Sequence, residues 1–231
     1  WFDPGPAPYQ YRLVEEGGID KFSKLGLAAW PDLGISKQEI LVDGVDEPVA
    51  VGYLARGGNT KPVMLAWDNQ AGEPVVFVNN KLSELTLLAP AIAKHVPKDA
   101  ALLAWWDTSR QIQLLTGLEP VFTSHLSGPL ITPSIWQKRI EAIEKYEREF
   151  WGSTASAEEK GKFQRFAAAL LAEPTEGTAM LRELAGGREA YVVVHVSDLY
   201  KLGQMYPDRI GVAYKAFPLK GGALHALRAT A

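Results

Sequence analysis

The residues best suited to binding chemistry form the string Trp105-Trp106-Asp107. The two tryptophans end a nearly continuous apolar run, residues 100–106, and Asp107 follows it. Such a run favours a strand buried on both faces. Ligands of α/β proteins usually bind at the carboxyl ends of such strands. An indole offers an N–H beside a broad apolar face, and an aspartate can accept a hydrogen bond from a ligand. The same string also fits a structural role, in which the tryptophans fill the core and Asp107 caps the next helix.

A second string, Asp198, Lys201 and Met205, follows another apolar run at residues 191–196. Its spacing of i, i+3 and i+7 places the three side chains on one helix face. We expect this face to meet Trp106 at the same sheet edge and to form one pocket for a peptide or protein partner. The alternative is an exposed ion pair beside a core methionine. The predicted partner-binding residues are Trp105, Trp106, Asp107, Ser109, Arg110, His125, Asp198, Lys201 and Met205.

Other kinds of chemical site find little support in the sequence. The chain has no cysteine, which excludes disulfides, thiolate nucleophiles, iron–sulfur clusters and c-type haem attachment. No Walker loop and no G-x-G-x-x-G or G-x-S-x-G motif is present. His95, His125, His195 and His225 lack metal-ligand spacing, and His195 is expected to be a neutral histidine inside a buried strand. We therefore predict no catalytic residue, no metal and no cofactor.

The overall charge argues against nucleic acid as a partner. The chain has 24 basic and 27 acidic residues and a net charge of −3. It therefore lacks a strongly basic field that would attract phosphates or anionic lipids. The sequence also has no run of about 18 apolar residues, the length needed to span a bilayer.

The apolar runs and turn residues predict an α/β fold with a mixed, partly parallel sheet flanked by helices. An N-terminal antiparallel β meander is expected from strands at residues 39–42, 49–54, 63–67 and 75–78. Strands at residues 100–106, 120–123 and 191–196 alternate with helices, and a β hairpin of residues 212–217 and 223–228 ends the chain. The predicted helices are a short one within 19–30, then 83–95, 107–117, 133–151, one from Ser156, one from Pro174 and one capped by Ser197 or Asp198.

The opening residues, 1–10, are rich in proline, as is typical of a semi-rigid linker. Because the chain begins with Trp1 rather than methionine, we expect an N-terminal anchor or signal to have been removed. Residues 11–231 are predicted to form a single domain. Its β-rich half is 11–97 and its second half is 98–231.

The order W-W-D and then D-x-x-K-x-x-x-M resembles the soluble C-terminal domain of the oligosaccharyltransferase catalytic subunit, over about residues 98–205. That family carries W-W-D-Y-G and a later D-K motif, which read the hydroxyl amino acid of an acceptor peptide. Thr108 and Ser109 stand where the family has Tyr and Gly. The family's metal-binding acids belong to membrane loops, so the resemblance implies an acceptor-recognition domain rather than a complete transferase.

The stretch A-W-W-D-T-S-R-Q-I, followed by L-L-T-G and F-T-S-H-L, resembles the hydroxylamine oxidation protein HaoB family. The resemblance implies a non-catalytic accessory or assembly protein that is periplasmic and anchored to the cytoplasmic membrane. Its implied partner is a multihaem hydroxylamine oxidoreductase, and it would hold no haem itself. We take this as the favoured function. The acceptor-recognition domain of an oligosaccharyltransferase-like membrane glycosyltransferase is the alternative, and an unrecognised hydrolase is the third.

Overall fold

The computed structural model describes residues 5–58, 60–70, 82–126, 134–152, 155–219 and 222–230. The strands are β1 (Tyr9–Gly18), β2 (Leu33–Val42), β3 (Ala50–Gly57), β4 (Val63–Asn69), β5 (Ala101–Ala104), β6 (Ala190–Val193), β7 (Gly211–Leu219) and β8 (Gly222–Thr230). The α-helices are α1 (Leu82–His95), α2 (Trp106–Thr116), α3 (Ile140–Trp151), α4 (Ala157–Ala169), α5 (Pro174–Ala185) and α6 (Val196–Met205). Two 3₁₀ helices span Ile19–Leu25 and Ser134–Arg139.

The predicted α/β class is confirmed, and the described strands form three sheets. β1, β2, β3 and β4 pair in that order as an antiparallel meander. β5 and β6 pair in parallel, and β7 and β8 form the antiparallel hairpin expected at the end of the chain. The candidate strand at residues 75–78 lies outside the described residues.

The first strand of the meander was missed by the sequence patterns. β1 begins at Tyr9, inside the segment predicted as a linker, and pairs there with Val42 of β2. Pro8 is already fully buried. β1 escapes detection because its apolar and polar residues do not alternate cleanly: Leu13 and Val14 are both exposed, and the register shifts between Leu13 and Glu15.

β5 lies between the two hydrophobic clusters of the core. Its four residues are all buried, as the apolar run predicts. Leu102 and Ala104 face one cluster, which includes the inner side of the meander, whereas Leu103 and the following Trp105 face a second cluster. Side chains on a strand alternate between faces, so this short strand holds the two halves of the core together.

The prediction of a strongly buried second parallel strand is wrong. β6 is an edge strand whose pairing partner within the described residues is β5. Val192 and Val194 are 40% and 55% exposed, and Val196 at the start of α6 is 48% exposed. A run of valines predicts strand structure well, but it cannot distinguish a central strand from an edge strand.

Residues 120–123 do not form the predicted strand. Their link to the sheet is one hydrogen bond, from the Val121 backbone N–H to the Leu102 carbonyl, at 2.9 Å. The helix predicted over 133–151 is divided, since Ser134–Arg139 is a 3₁₀ helix and α3 begins at Ile140. The helices predicted from Ser156 and Pro174 are confirmed, and Ser156 caps α4 by accepting a hydrogen bond from Glu159 N–H at 3.1 Å.

Candidate partner-binding pocket

The W-W-D string forms the turn from β5 into α2, but Asp107 does not cap the helix. The N-cap residue is Trp105, which makes no side-chain capping bond, and Asp107 lies in the first helical turn. Its carboxylate accepts a hydrogen bond from the backbone N–H of Thr108 at 2.7 Å. A carboxylate is favourable in the first turn because it meets the positive end of the helix dipole.

Asp107 meets the second string in space, as its position at the sheet edge predicts. The Lys201 Nζ of α6 lies 3.0 and 3.2 Å from the two carboxylate oxygens of Asp107. The same ammonium lies 3.4 Å from Asp198 Oδ1 and 5.3 Å from the centre of the Trp105 ring. One cation therefore bridges two carboxylates that are far apart in sequence and rests on an indole face.

The two neighbouring tryptophans have different surroundings. Trp105 is 1% exposed and packs edge-on against Phe163, with ring centres 5.0 Å apart. Trp106 is half-buried and meets the imidazole of His125 edge-on at 4.8 Å. Trp105 thus belongs mainly to the core, whereas Trp106 has surface left to contact a ligand.

A second polar cluster, of Arg110, His125 and Glu147, lies beside the string. Arg110 Nη1 is 3.1 Å from His125 Nδ1, and His125 Nε2 is 3.0 Å from Glu147 Oε2. A guanidinium has no acceptor, so His125 Nδ1 must accept from Arg110 and Nε2 must carry the hydrogen donated to Glu147. Arg110 also donates to the Pro62 carbonyl at 2.8 Å, which ties α2 to the chain just before β4.

Glu147 is the centre of this cluster, because its carboxylate accepts four hydrogen bonds. One oxygen accepts from the hydroxyls of Tyr9, at 2.6 Å, and Tyr11, at 3.1 Å. The other accepts from His125 and from the indole N–H of Trp151, at 2.7 Å. Four donors saturate the carboxylate and connect β1, α3 and the segment after α2.

The pKa shifts follow from this buried arrangement. Burial alone would raise the pKa of Glu147, but the hydrogen bonds from His125 and Tyr9 outweigh it and the net shift is downward. Burial lowers the pKa of His125 below 6.5, and it lowers the pKa of Arg110 to about 10. Glu147 is therefore ionised and His125 neutral at neutral pH, consistent with the hydrogen-bond directions.

These groups line one pocket of about 530 Å³. Seven of the nine predicted binding residues contribute to its wall, namely Trp105, Trp106, Asp107, Arg110, His125, Lys201 and Met205. The other two do not line it. Ser109 is fully buried and donates to the Ala104 carbonyl at 3.1 Å, and Asp198 is 1% exposed beside Lys201. The remaining wall residues are Tyr9, Tyr11, Val63, Met64, Trp67, Leu126, Glu147, Trp151 and Gln204.

Sequence reasoning missed Glu147 and its tyrosine donors, although two weak signals were present. Ile143, Glu147 and Trp151 follow one another at i, i+4 and i+8 and are the buried residues of α3. A carboxylate on an apolar helix stripe indicates a buried, hydrogen-bonded charge. Tyr9 and Tyr11 alternate on a strand, which places both hydroxyls on one face.

His195 does not lie inside a buried strand, so that prediction is wrong. It is the N-cap residue of α6, and its Nδ1 accepts from the Ser197 backbone N–H at 3.1 Å. In turn, the Asp198 carboxylate accepts a hydrogen bond from the His195 backbone N–H at 2.9 Å, which completes a capping box. The expected cap at Ser197 or Asp198 is thus displaced to His195, whose Nε2 also contacts Glu84 at 3.0 Å.

We expect stability to fall as the pH is lowered from about 7.5 to about 5.5. Because the pKa of folded His125 is below 6.5, the unfolded chain binds a proton there that the folded chain does not. The contribution of His125 to stability is therefore fully present above its pKa in the unfolded chain. It is lost as the pH falls through the lower pKa of His125 in the folded chain. Glu147 adds a loss in the same direction below its ordinary pKa of 4.5.

Urea unfolding at several pH values measures this loss. His125→Gln removes the titrating ring, so the drop in the free energy of unfolding between the two pH values should become smaller than in the parent. An equal drop in both proteins would show that His125 does not carry the pH dependence.

Within the described residues, no group of three metal-ligating side chains is arranged to hold an ion. No α-helix of the described part is long and apolar enough to cross a bilayer.

Comparison with protein families gives one match, to the family model HaoB_nitrify, described as HaoA-associated protein HaoB, over residues 1–231. No curated protein and no solved structure shows significant similarity to the chain. The resemblance to the oligosaccharyltransferase subunit is therefore not confirmed by any match.

Proposed function

Because the chain belongs to the HaoB family of HaoA-associated proteins, we propose that it is a non-catalytic accessory protein of hydroxylamine oxidation that binds a segment of a HaoA-related protein in its pocket. The expected partner is a multihaem hydroxylamine oxidoreductase. The observation that carries this proposal is the meeting of the two strings, with Lys201 Nζ 3.0 Å from Asp107, at the wall of a 530 Å³ pocket. Concave sites of this size with a few convergent polar groups are typical binding sites.

The polar groups of the pocket favour binding over acid–base catalysis. His125, the imidazole in the wall, has both ring nitrogens engaged, one by Arg110 and the other by Glu147. A general base needs a free lone pair within reach of a substrate proton. Here the lone pair is already taken by a guanidinium, so the ring acts as a connection between two charged side chains.

The proposal includes a position on the outer side of the cytoplasmic membrane, held there by an N-terminal anchor. It rests on the resemblance to the HaoB family, which implies a periplasmic protein anchored to the cytoplasmic membrane. Protease treatment of spheroplasts that carry the full-length protein tests it. Degradation of the domain without lysis is expected, whereas protection until the membrane is broken would contradict the location.

We expect Asp107→Asn to weaken binding to the purified HaoA-related oxidoreductase at least tenfold, with little loss of stability. Asp107 and Lys201 are partly exposed, with 35% and 27% of their side chains accessible, and such pairs contribute about 1 kcal/mol or less. Titration calorimetry measures affinity, and thermal unfolding measures stability.

Asp43→Asn is the matched control, because Asp43 pairs with Arg139 at 2.6 Å on the exposed surface. This variant should bind the oxidoreductase as the parent does. Unchanged affinity in Asp107→Asn would count against the pocket as the binding site. A large fall in melting temperature with intact binding would assign Asp107 a structural role instead.

A further inference from the structure

We infer that the pocket accepts one uncharged, apolar side chain of the partner segment, with the adjoining peptide group placed against Asp107 and Lys201. This inference names the ligand class of the proposed function and rests on it. It follows from which charges in the wall are already paired, which hydrogen-bonding positions remain, and what the rest of the wall is made of.

The deeper polar cluster offers little charge to a ligand. Glu147 receives four hydrogen bonds, and Arg110 is engaged by His125 and by the Pro62 carbonyl while lying 5.7 Å from the Trp151 ring centre. Glu147, a buried carboxylate with its acceptor positions filled, gains little from a cationic ligand, and Arg110 is only 5% exposed and so offers little of its guanidinium to an anionic one. This cluster therefore forms a rigid wall rather than a counter-charge.

The outer polar cluster is also internally paired. The Lys201 ammonium is held between Asp107 and Asp198, so its charge is already compensated. A carboxylate entering the pocket would meet Asp107 and Glu147 in the wall, with Asp198 buried behind Lys201. A guanidinium or ammonium would meet Lys201 and Arg110 with no unpaired carboxylate among the described wall residues. Either ion would lose its hydration without a free partner.

The Asp107–Lys201 pair still has hydrogen-bonding capacity suited to a neutral group. An ammonium has three donors, and both hydrogen bonds that Lys201 makes go to Asp107. Asp198 Oδ1, at 3.4 Å, pairs with its charge but makes no hydrogen bond. Asp107 Oδ2 accepts only from Lys201 within the described residues. A peptide group presents one C=O acceptor and one N–H donor, so it can satisfy both positions at once without adding charge.

The rest of the wall is apolar and adaptable. Trp106 offers an indole face and Met64 and Met205 offer thioethers, which pack against many side-chain shapes. Trp67, 40% exposed, is the most accessible large apolar side chain of the wall. A volume of 530 Å³ lies in the lower part of the range for ligand sites, about 300 to 1,000 Å³, which suits one large side chain with its main chain.

Saturation-transfer NMR with single N-acetyl amino acid amides tests the inference. The probes are the amides of phenylalanine, methionine, threonine, arginine and glutamate, each titrated against the whole domain. We expect the phenylalanine and methionine amides to bind at least about tenfold more tightly than the arginine and glutamate amides. Comparable binding of a charged amide, or no binding by the apolar amides, would overturn the inference. Tightest binding of the threonine amide would also overturn it and would favour acceptor recognition.

Two variants place the signal in the pocket. Trp106→Ala should remove most of the saturation transfer to the phenylalanine amide. Ile135→Ala, at an exposed isoleucine on the surface, should leave it unchanged. Equal signals from Trp106→Ala and the parent would show that the amides bind elsewhere, which contradicts the inference.

The outcome separates this inference from the proposed function. If Asp107→Asn abolishes oxidoreductase binding while the amides show no apolar preference, the function stands and the inference fails. If the amides show the expected preference while the pocket variants bind the oxidoreductase with unchanged affinity, the ligand class is right and the proposed partner is wrong.

Discussion

Glu147→Ala is expected to lower the free energy of unfolding by about 3 to 5 kcal/mol, as is typical when one member of a buried charged network is removed. The change leaves the hydroxyls of Tyr9 and Tyr11 and the indole N–H of Trp151 without their acceptor. Each buried donor without a partner costs about 1 to 3 kcal/mol. A loss of this size is a large part of the 5 to 15 kcal/mol that stabilises a typical domain.

The neighbouring histidine cannot adjust to relieve this loss. His125 would need to move its hydrogen from Nε2 to Nδ1, but Nδ1 faces a donor of Arg110 at 3.1 Å. Glu147→Gln, which keeps the shape and two acceptor positions, should therefore still cost about 1 to 3 kcal/mol. It provides a milder variant if the alanine protein does not fold.

Urea unfolding measures both variants, with Glu149→Ala as the control. Glu149 lies on the same helix but is exposed, with 66% of its side chain accessible, so its change should stay within about 0.5 kcal/mol. If Glu147→Ala were as stable as this control, the four-donor network would not contribute to folding.

Trp105→Ala and Trp106→Ala are expected to separate folding from binding. Trp105 is 1% exposed and packs on Phe163, so its truncation should cost about 3 to 5 kcal/mol. Trp106 is half-buried and makes one edge-on contact with His125, so its loss should cost about 1 to 2 kcal/mol. In contrast, partner affinity should fall sharply in Trp106→Ala, because buried aromatic anchors dominate such interfaces.

Thermal unfolding and titration with the HaoA-related oxidoreductase measure the two effects. The expected result is an unstable Trp105 variant and a folded Trp106 variant that binds poorly. A Trp106 variant that binds normally would remove the indole from the proposed site. Equal destabilisation by both changes would show that both rings serve the core.

The meeting of the two strings could be predicted from the sequence because both depend on local signals. An apolar run of seven residues, ending at Trp106, indicates a buried strand, and Gly117 in the left-handed conformation ends α2 where the sequence predicts. The i, i+3 spacing of Asp198 and Lys201 fixed their common face. The spatial meeting then followed from the parallel pairing of β5 and β6, which places both following helices at one end.

The other wall of the pocket could not be predicted because it depends on distant contacts. Tyr9 and Tyr11 reach Glu147 across 138 and 136 residues of sequence. No local pattern shows that these residues meet, and the alternation of β1 breaks after Leu13, where the register shifts. The exposure of β6 was missed for a related reason, since whether a strand lies at an edge is decided by which other strands pair with it.

His195 shows a different limit of sequence reasoning. Serine and aspartate are the common capping residues, so Ser197 and Asp198 were the natural choices. The imidazole Nδ1 performs the same role here because the helix begins two residues before the position that a Ser197 cap would give, which leaves Asp198 to close the box from the third position.

Four of the seven tryptophans surround the pocket, which gives the protein a built-in optical reporter. The emission of an indole depends on the charges and water next to its ring, and Lys201 and Arg110 lie close to two of these rings. A side chain entering the pocket would displace water from Trp106 and shift these nearby charges. Occupancy of the pocket should therefore be measurable as a change in intrinsic fluorescence, without a dye. Trp30, which donates a hydrogen bond to the Leu115 carbonyl and does not line the pocket, should contribute a constant background.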